Sequence, residues 1–185
     1  MKRIERDFIT LFNCLWYQDF PVIEGAYSNT SNWTIHIGHM VKQCAKLLGA
    51  RAVFENARTD AVLKFPDGKV LSNVEWEWIE AHKDNVGEIQ KLLNTHANAA
   101  FSTFISYSAE KNLQATLNKA SELWASASKP LIFFVVTFTM DSGNRWFQEL
   151  QTYVFEGGTH RLYRSQPALP WEHAASEYLE CEDGQ

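Results

Sequence analysis

The stretch "RTDAVLKFPDGKVLSNVEWEW", residues 58–78, sets Asp60, Glu75 and Glu77 within the reach of one hairpin, with Trp76 and Trp78 interleaved. Carboxylates that face one another across a sheet repel, so three of them together call for an explanation. An all-oxygen set of this kind is what a hard divalent cation such as Mg²⁺ takes, and Mg²⁺ asks for few protein ligands. The chemistry to expect is therefore metal-assisted. The plain alternative is a solvated polar face, with Arg58 opposite Glu77 and Lys64 nearby neutralising the acids.

The faces of the hairpin set its register. "PDG" at 66–68 has the composition of a turn. Pairing Phe65 with Val70 then sets Lys64 against Leu71, Val62 against Asn73 and Asp60 against Glu75. The opposite face collects Ala61, Leu63, Phe65, Val70, Val74, Trp76 and Trp78, interrupted by Ser72. A slip of one residue would mix the two sets, which sheets with one buried face resist. This pattern predicts that both tryptophans lie in the core and hold the carboxylates in place.

The surrounding elements follow from hydrophobic spacing. Ile4, Phe8, Leu11, Phe12 and Leu15 predict a helix over 2–16. Ile37, Met40, Val41, Cys44, Leu47 and Leu48 predict another over 33–48, capped by Ser31 or Asn32 and ended by Gly49. A strand is expected at 51–56. A helix is expected at 85–99 with Val86, Ile89, Leu92 and Leu93 inward, and a strand at 101–107. Helix 109–127 stops before Pro130. The apolar run "LIFFVVTF" (131–138) reads as a central strand covered on both faces. A second hairpin closes around Gly157 and Gly158. The order predicts an α/β fold, a mixed sheet flanked by helices, with a C-terminal β-hairpin. One domain is expected over 1–174, followed by an acidic, disordered tail at 175–185.

An acid opening one strand of a hairpin, followed by acid-x-Lys on the next, inside an αβββαβ core, resembles the PD-(D/E)XK (restriction-endonuclease-like) nuclease superfamily. The matching residues are Asp60 and "VEWEW", with Glu75 in the metal-ligand position. Pro66–Asp67 is read as the turn and not as the "PD" of the motif. The likeness in topology spans about residues 33–139. Glu77 stands where Lys is expected, which makes this an E-x-E variant, a form that occurs in the family. Lys91 or Lys64 is then the candidate for the missing positive charge. The resemblance implies a Mg²⁺- or Mn²⁺-dependent nuclease acting on nucleic acid, with DNA the favoured substrate. Asp60 and Glu75 would hold metal, and Glu77 would be a third ligand or would orient the water. Arg145, His160, Arg161 and Arg164 offer charge for phosphate contacts. The rival reading is a catalytically inactive protein of the same fold, an accessory or immunity-type binding module in a larger assembly; a homodimer or larger protein assembly is the expected protein partner.

Other constellations carry less. His36 and His39 lie three apart on one helix face, but no third zinc ligand has a matching signature. Trp33, Trp146 and Trp171 lie near loops, where rings stack on bases or pack a dimer. Gly157–Gly158 leads into a strand and not a helix, so a phosphate-cradling loop is not expected. No elbow motif surrounds a Ser or Cys nucleophile. Three widely spaced cysteines, Cys14, Cys44 and Cys181, suggest neither a disulfide framework nor a zinc knuckle. No run reaches the length of a signal core or membrane span, and the cytoplasm is the expected compartment. The net charge of −5 argues against indiscriminate nucleic-acid binding, yet four of the acids lie in the last ten residues. The body before them is nearly neutral, so a local basic face remains open.

Overall fold

The protein, here a computed structural model, is described over residues 1–56, 59–80, 83 and 87–173. Arg58 and the acidic tail lie outside the described residues. Seven strands form one sheet in sequence order: β1 (Arg51–Asn56), β2 (Thr59–Lys64), β3 (Val70–Trp76), β4 (Ala99–Ala109), β5 (Leu131–Asp141), β6 (Asn144–Glu156) and β7 (Thr159–Pro167). The β3–β4 and β4–β5 pairs are parallel and all others antiparallel. Helices α1 (Arg3–Leu15) and α2 (Thr30–Leu47) precede the sheet; α3 (Gly87–Thr95) and α4 (Glu110–Trp124) are the two crossovers.

Strict alternation along the central strands divides the core in two. Phe101, Ile105, Ile132, Phe134 and Val136 face α1 and α2, where Phe8, Phe12, Trp16, Ile37 and Met40 meet them. Phe104, Leu131, Phe133 and Val135 face α3 and α4, against Ile89, Leu92, Leu117 and Trp124. Helices thus cover both faces of a mixed sheet, as the pattern of apolar residues requires.

Local chemistry moved several boundaries. Helix α2 begins a turn earlier than hydrophobic spacing suggests, because the Asn29 side chain accepts from the Asn32 backbone N–H at 3.0 Å. Asn29, and not Ser31 or Asn32, is the cap. Helix α3 ends at Thr95 and passes through a 3₁₀ turn (His96–Asn98) into β4, instead of running to residue 99. The cause lies on β3: Asn73 Nδ2 donates to the Thr95 carbonyl at 3.3 Å and to its hydroxyl at 3.2 Å, which binds the last turn of α3 to the sheet. Strand β5 extends three exposed residues beyond Phe138 into a turn at Ser142–Gly143.

The first hairpin keeps the expected rung Val62–Asn73, but Lys64 pairs with Val70, not Leu71, across a bulge between Leu63 and Lys64. The bulge absorbs the tight turn, where Phe65 N–H donates to the Lys69 carbonyl at 2.9 Å and Gly68 takes φ +86°. Asp67 accepts from both the backbone and the ammonium of Lys69, so it is a turn residue as read.

The two tryptophans depart from the expectation of core burial. Trp76 and Trp78 are only half-buried, at the rim of the α1/α2 core. Strand β3 ends at Trp76, and beyond it the chain leaves the sheet, so alternation no longer drives Trp78 inward. Phe134 is the better anchor: it is fully buried, with its ring stacked on Phe12 at 4.0 Å. Phe134→Ala is expected to cost about 3–5 kcal/mol, while Trp76→Ala costs on the order of 1–2 kcal/mol. Urea unfolding midpoints of the two variants measure the difference directly.

Candidate functional site

Where the β2–β3 ladder ends, a side chain completes it. Ala61 pairs with Val74, and one residue further on, the Trp76 backbone N–H donates to Asp60 Oδ2 at 2.8 Å. Asp60 therefore secures the last rung of β3 while its carboxylate stays beside Glu75. Glu75, only 2% exposed, lies on the α3 side of the sheet, with Phe104 as its neighbour on β4. The two carboxyl groups are close enough to perturb one another's protonation. The β2–β3 ladder ends at Ala61–Val74, one residue short of the expected Asp60–Glu75 rung, and Asp60 lies beside Glu75 through its bond to Trp76 N–H.

Helix α3 supplies the rest of the cluster. Ile89 and Leu92 bury into the lower core, and this places Glu88 and Lys91 over the two strand carboxylates. Glu88 lies near enough to Glu75 to raise its pKa. Lys91 Nζ lies 2.7 and 2.6 Å from the two oxygens of Glu88. Three acids and one ammonium thus converge at the carboxyl end of β3, next to the first residues of the crossover.

The electrostatics follow from this geometry. Burial raises the Glu75 pKa to about 9, assisted by the negative charges of Asp60 and Glu88. Burial also raises Asp60, against the opposing bond from Trp76 N–H. Lys91 is held above its ordinary value by its bond to Glu88, with Glu75 and Asp60 adding to the attraction. Burial and the neighbouring acids thus favour the neutral form of Glu75 at pH 7.

The structure sorts the other expected site residues. Glu77 accepts from the Ile79 backbone N–H at 2.9 Å, beyond the end of β3, and is turned to its own loop. Lys64 sits four residues along β2 from Asp60, about 13 Å away, in a pocket with Gly49, Ala50, Arg51 and Pro66. Arg145 is enclosed by rings: its guanidinium lies 4.4 Å from the centre of Trp78 and 4.7 Å from that of Phe138, and it donates to the Trp78 carbonyl at 2.7 Å. Arg161 and Arg164 lie on β7, five strands from β2 and so about 24 Å across the sheet. Arg161 stacks over Tyr163 and Arg164 binds Gln166. His160 pairs with Ser121 of α4 at 2.8 Å. None of these joins the carboxylates.

The histidine pair and the loop tryptophans resolve mainly as packing. His36 is buried among Trp16, Phe20 and Trp33, and burial lowers its pKa to about 4. Trp33 is itself fully buried and stacked on Trp16 at 5.3 Å, whereas Trp146 and Trp171 are half-buried.

Glu88 is the residue that sequence reasoning missed. Its signal was its position three before Lys91, flanking the inward-facing Ile89 and Leu92 on the helix that follows the hairpin.

The donor set suits a hard cation in a limited sense. Among the described residues, no three His, Cys, Asp or Glu side chains are grouped as a ready metal cage. Mg²⁺ does not need one, since it binds through one or two carboxylates and keeps several waters. Asp60 and Glu75 meet that requirement.

No family model matches the sequence, and no curated protein does. Among solved structures, the chain is similar to the YaeQ protein from Pseudomonas syringae, with 12% identity over 63% of this chain and 67% of that one, and a TM-score of 0.26. It is also similar to the YaeQ protein from Xanthomonas axonopodis pv. citri, with 11% identity over 70% and 78% of the two chains and a TM-score of 0.26. Likenesses this slight assign neither fold nor activity.

The raised Glu75 pKa fixes a pH dependence. A carboxyl whose folded pKa lies above its unfolded value contributes stability below the unfolded value and loses it as pH rises through the folded one. Wild type should therefore lose stability between pH 4.5 and about 9. Glu75→Gln, which imitates the protonated acid, should match wild type near pH 5 and be the more stable protein at pH 8. Denaturant midpoints at the two pH values check this.

Proposed function

We propose that the protein is a Mg²⁺- or Mn²⁺-dependent nuclease that hydrolyses phosphodiester bonds, with DNA as the favoured substrate. One observation carries the reading: Glu75, almost fully buried, lies beside Asp60 of the neighbouring strand, with the Lys91–Glu88 pair of α3 next to them. Carboxyl groups buried together cost stability, and perturbed acids of this kind cluster at functional sites. The chain order α2–β1–β2–β3–α3–β4 supports the same reading, since it is the αβββαβ order of the PD-(D/E)XK nucleases.

In this reading Asp60 and Glu75 would hold the cation, with the Glu75 proton released to solvent. When bound, the cation supplies an acidified water and offsets charge on the phosphate. Asp60 keeps its position through the Trp76 backbone N–H, which fixes one carboxylate oxygen and orients the other. Lys91, with its pKa raised, stays an ammonium at neutral pH. It therefore stabilises phosphate charge and does not abstract a proton. Glu77 has no assigned part in the chemistry. The missing motif lysine on β3 is thus replaced in role by a lysine on the following helix.

The test uses plasmid and single-stranded DNA with Mn²⁺, with EDTA as control. Wild type should cleave and should gain thermal stability from Mn²⁺. Asp60→Asn, which retains an oxygen for Trp76 N–H, and Glu75→Gln should lose on the order of 10²-fold or more of the activity and most of the Mn²⁺ stabilisation. Glu77→Gln should stay near wild type. A wild type that gains nothing from Mn²⁺ and cleaves nothing would leave the inactive binding module as the reading.

A further inference from the structure

We propose that Glu88 is a positioning residue for Lys91: it grips the ammonium with both carboxylate oxygens and holds it over Asp60 and Glu75, without itself being a cation ligand. The use made of that ammonium rests on the nuclease reading above. The hold on Lys91 does not.

The argument begins with α3. Glu88 and Lys91 lie three apart, on one face of the helix. The neighbouring Ile89 and Leu92 are buried, so this face cannot rotate away from the sheet. The helix is also bound at its far end by Asn73, two residues before Glu75 on the same strand. Glu88 and Glu75 are thus held in place from both directions.

An ordinary surface pair at this spacing leaves both partners in water. Here the Glu88 side chain is 13% exposed and that of Lys91 is 52% exposed. Glu88 is sunk beside Glu75, a like charge when both are ionised, and such burial has a cost. The Lys91 ammonium, 2.7 and 2.6 Å from Oε1 and Oε2, offsets it. Both Glu88 oxygens are engaged by the ammonium, which leaves Asp60 and Glu75 as the carboxylates open to a cation.

The two-oxygen grip also answers a problem that lysine presents. Its stem has four rotatable bonds and its ammonium is a mobile point charge. A lysine placed on a strand beside the metal acids is restrained by the sheet. One delivered from a helix needs another restraint, and Glu88 provides it. Orientation of this kind lowers the entropic cost of reaching the productive geometry.

The test reads Lys91 directly, without relying on activity. Wild type and Glu88→Gln are treated at pH 8 with an N-hydroxysuccinimidyl acetate, and acetylation of Lys91 is followed by peptide mass spectrometry against exposed Lys119. Losing the carboxylate should free the amine and speed Lys91 acetylation several-fold, with Lys119 unchanged. Equal Lys91 rates in the two proteins would overturn the proposal. Glu88→Asp, one methylene shorter with its charge kept, serves if the Gln variant does not fold; an intermediate acetylation rate is expected and a wild-type rate would overturn it. In the cleavage assay, Glu88→Gln should lower kcat with KM and Mn²⁺ stabilisation largely kept, and Glu88→Gln/Lys91→Ala should be no worse than Lys91→Ala. Loss of Mn²⁺ stabilisation as complete as in Glu75→Gln would make Glu88 a ligand and overturn the positioning role. An inert wild type with the acetylation result intact would overturn the nuclease reading alone.

Discussion

Parallel pairing is the constraint on which the site depends. Strands β3, β4 and β5 run in the same direction, and parallel neighbours need a crossover long enough to return the chain to the starting end. Crossovers of this kind are right-handed almost without exception. Two successive ones that step in the same direction therefore place α3 and α4 on the same face. The other face is left to α1 and α2. Once β3 is parallel to β4, the segment following the carboxylate strand must pass over that strand, and Glu88 and Lys91 travel with it.

The apolar core then converts topology into position. Ile89 and Leu92 dock into a cluster with Phe104, Phe133 and Trp124. Their burial fixes the rotation of α3, and the bonds from Asn73 fix its end. Polar residues on the same helix inherit these restraints. Glu75 is buried because α3 covers it, and its pKa is raised because it is buried next to Asp60 and Glu88. A carboxyl in that position is favoured in its protonated form, since burial and two neighbouring acids disfavour its charge.

The same edge of the molecule shows how an acid is used structurally. Glu80 is buried, yet it accepts from Ala109 N–H and Asn112 at the start of α4 and pairs with Lys83. Its demand for hydrogen bonds is met by a helix start, which favours a carboxylate. Among the described residues Glu75 meets no such backbone donors and faces acids instead. Two glutamates five residues apart thus have different chemistry, because one meets backbone donors and the other meets like charge.

Several features were legible in the sequence because they depend on local periodicity. The two-sided apolar run at 131–138 identified a central strand, the alternation around 60–75 put Asp60 and Glu75 on one face, and "PDG" located the turn. Helix spacing found all four helices, though capping by Asn29 and the bonds of Asn73 shifted their ends. Other features were beyond local pattern. Trp76 and Trp78 looked like core residues because alternation was assumed to continue past the strand, whereas the strand ends at Trp76. Glu77 shared the period of Glu75 and was grouped with it for the same reason. Arg145, Arg161 and Arg164 have only charge in common with a phosphate site, and strand order separates the last two from the carboxylates by most of the sheet. The sequence by itself determined which residues could share a face, because side-chain direction repeats with the backbone. Only the tertiary structure decided which faces meet, and so brought Glu88 and Lys91 to Glu75, because that contact depends on a crossover and a packed helix between residues distant in the chain.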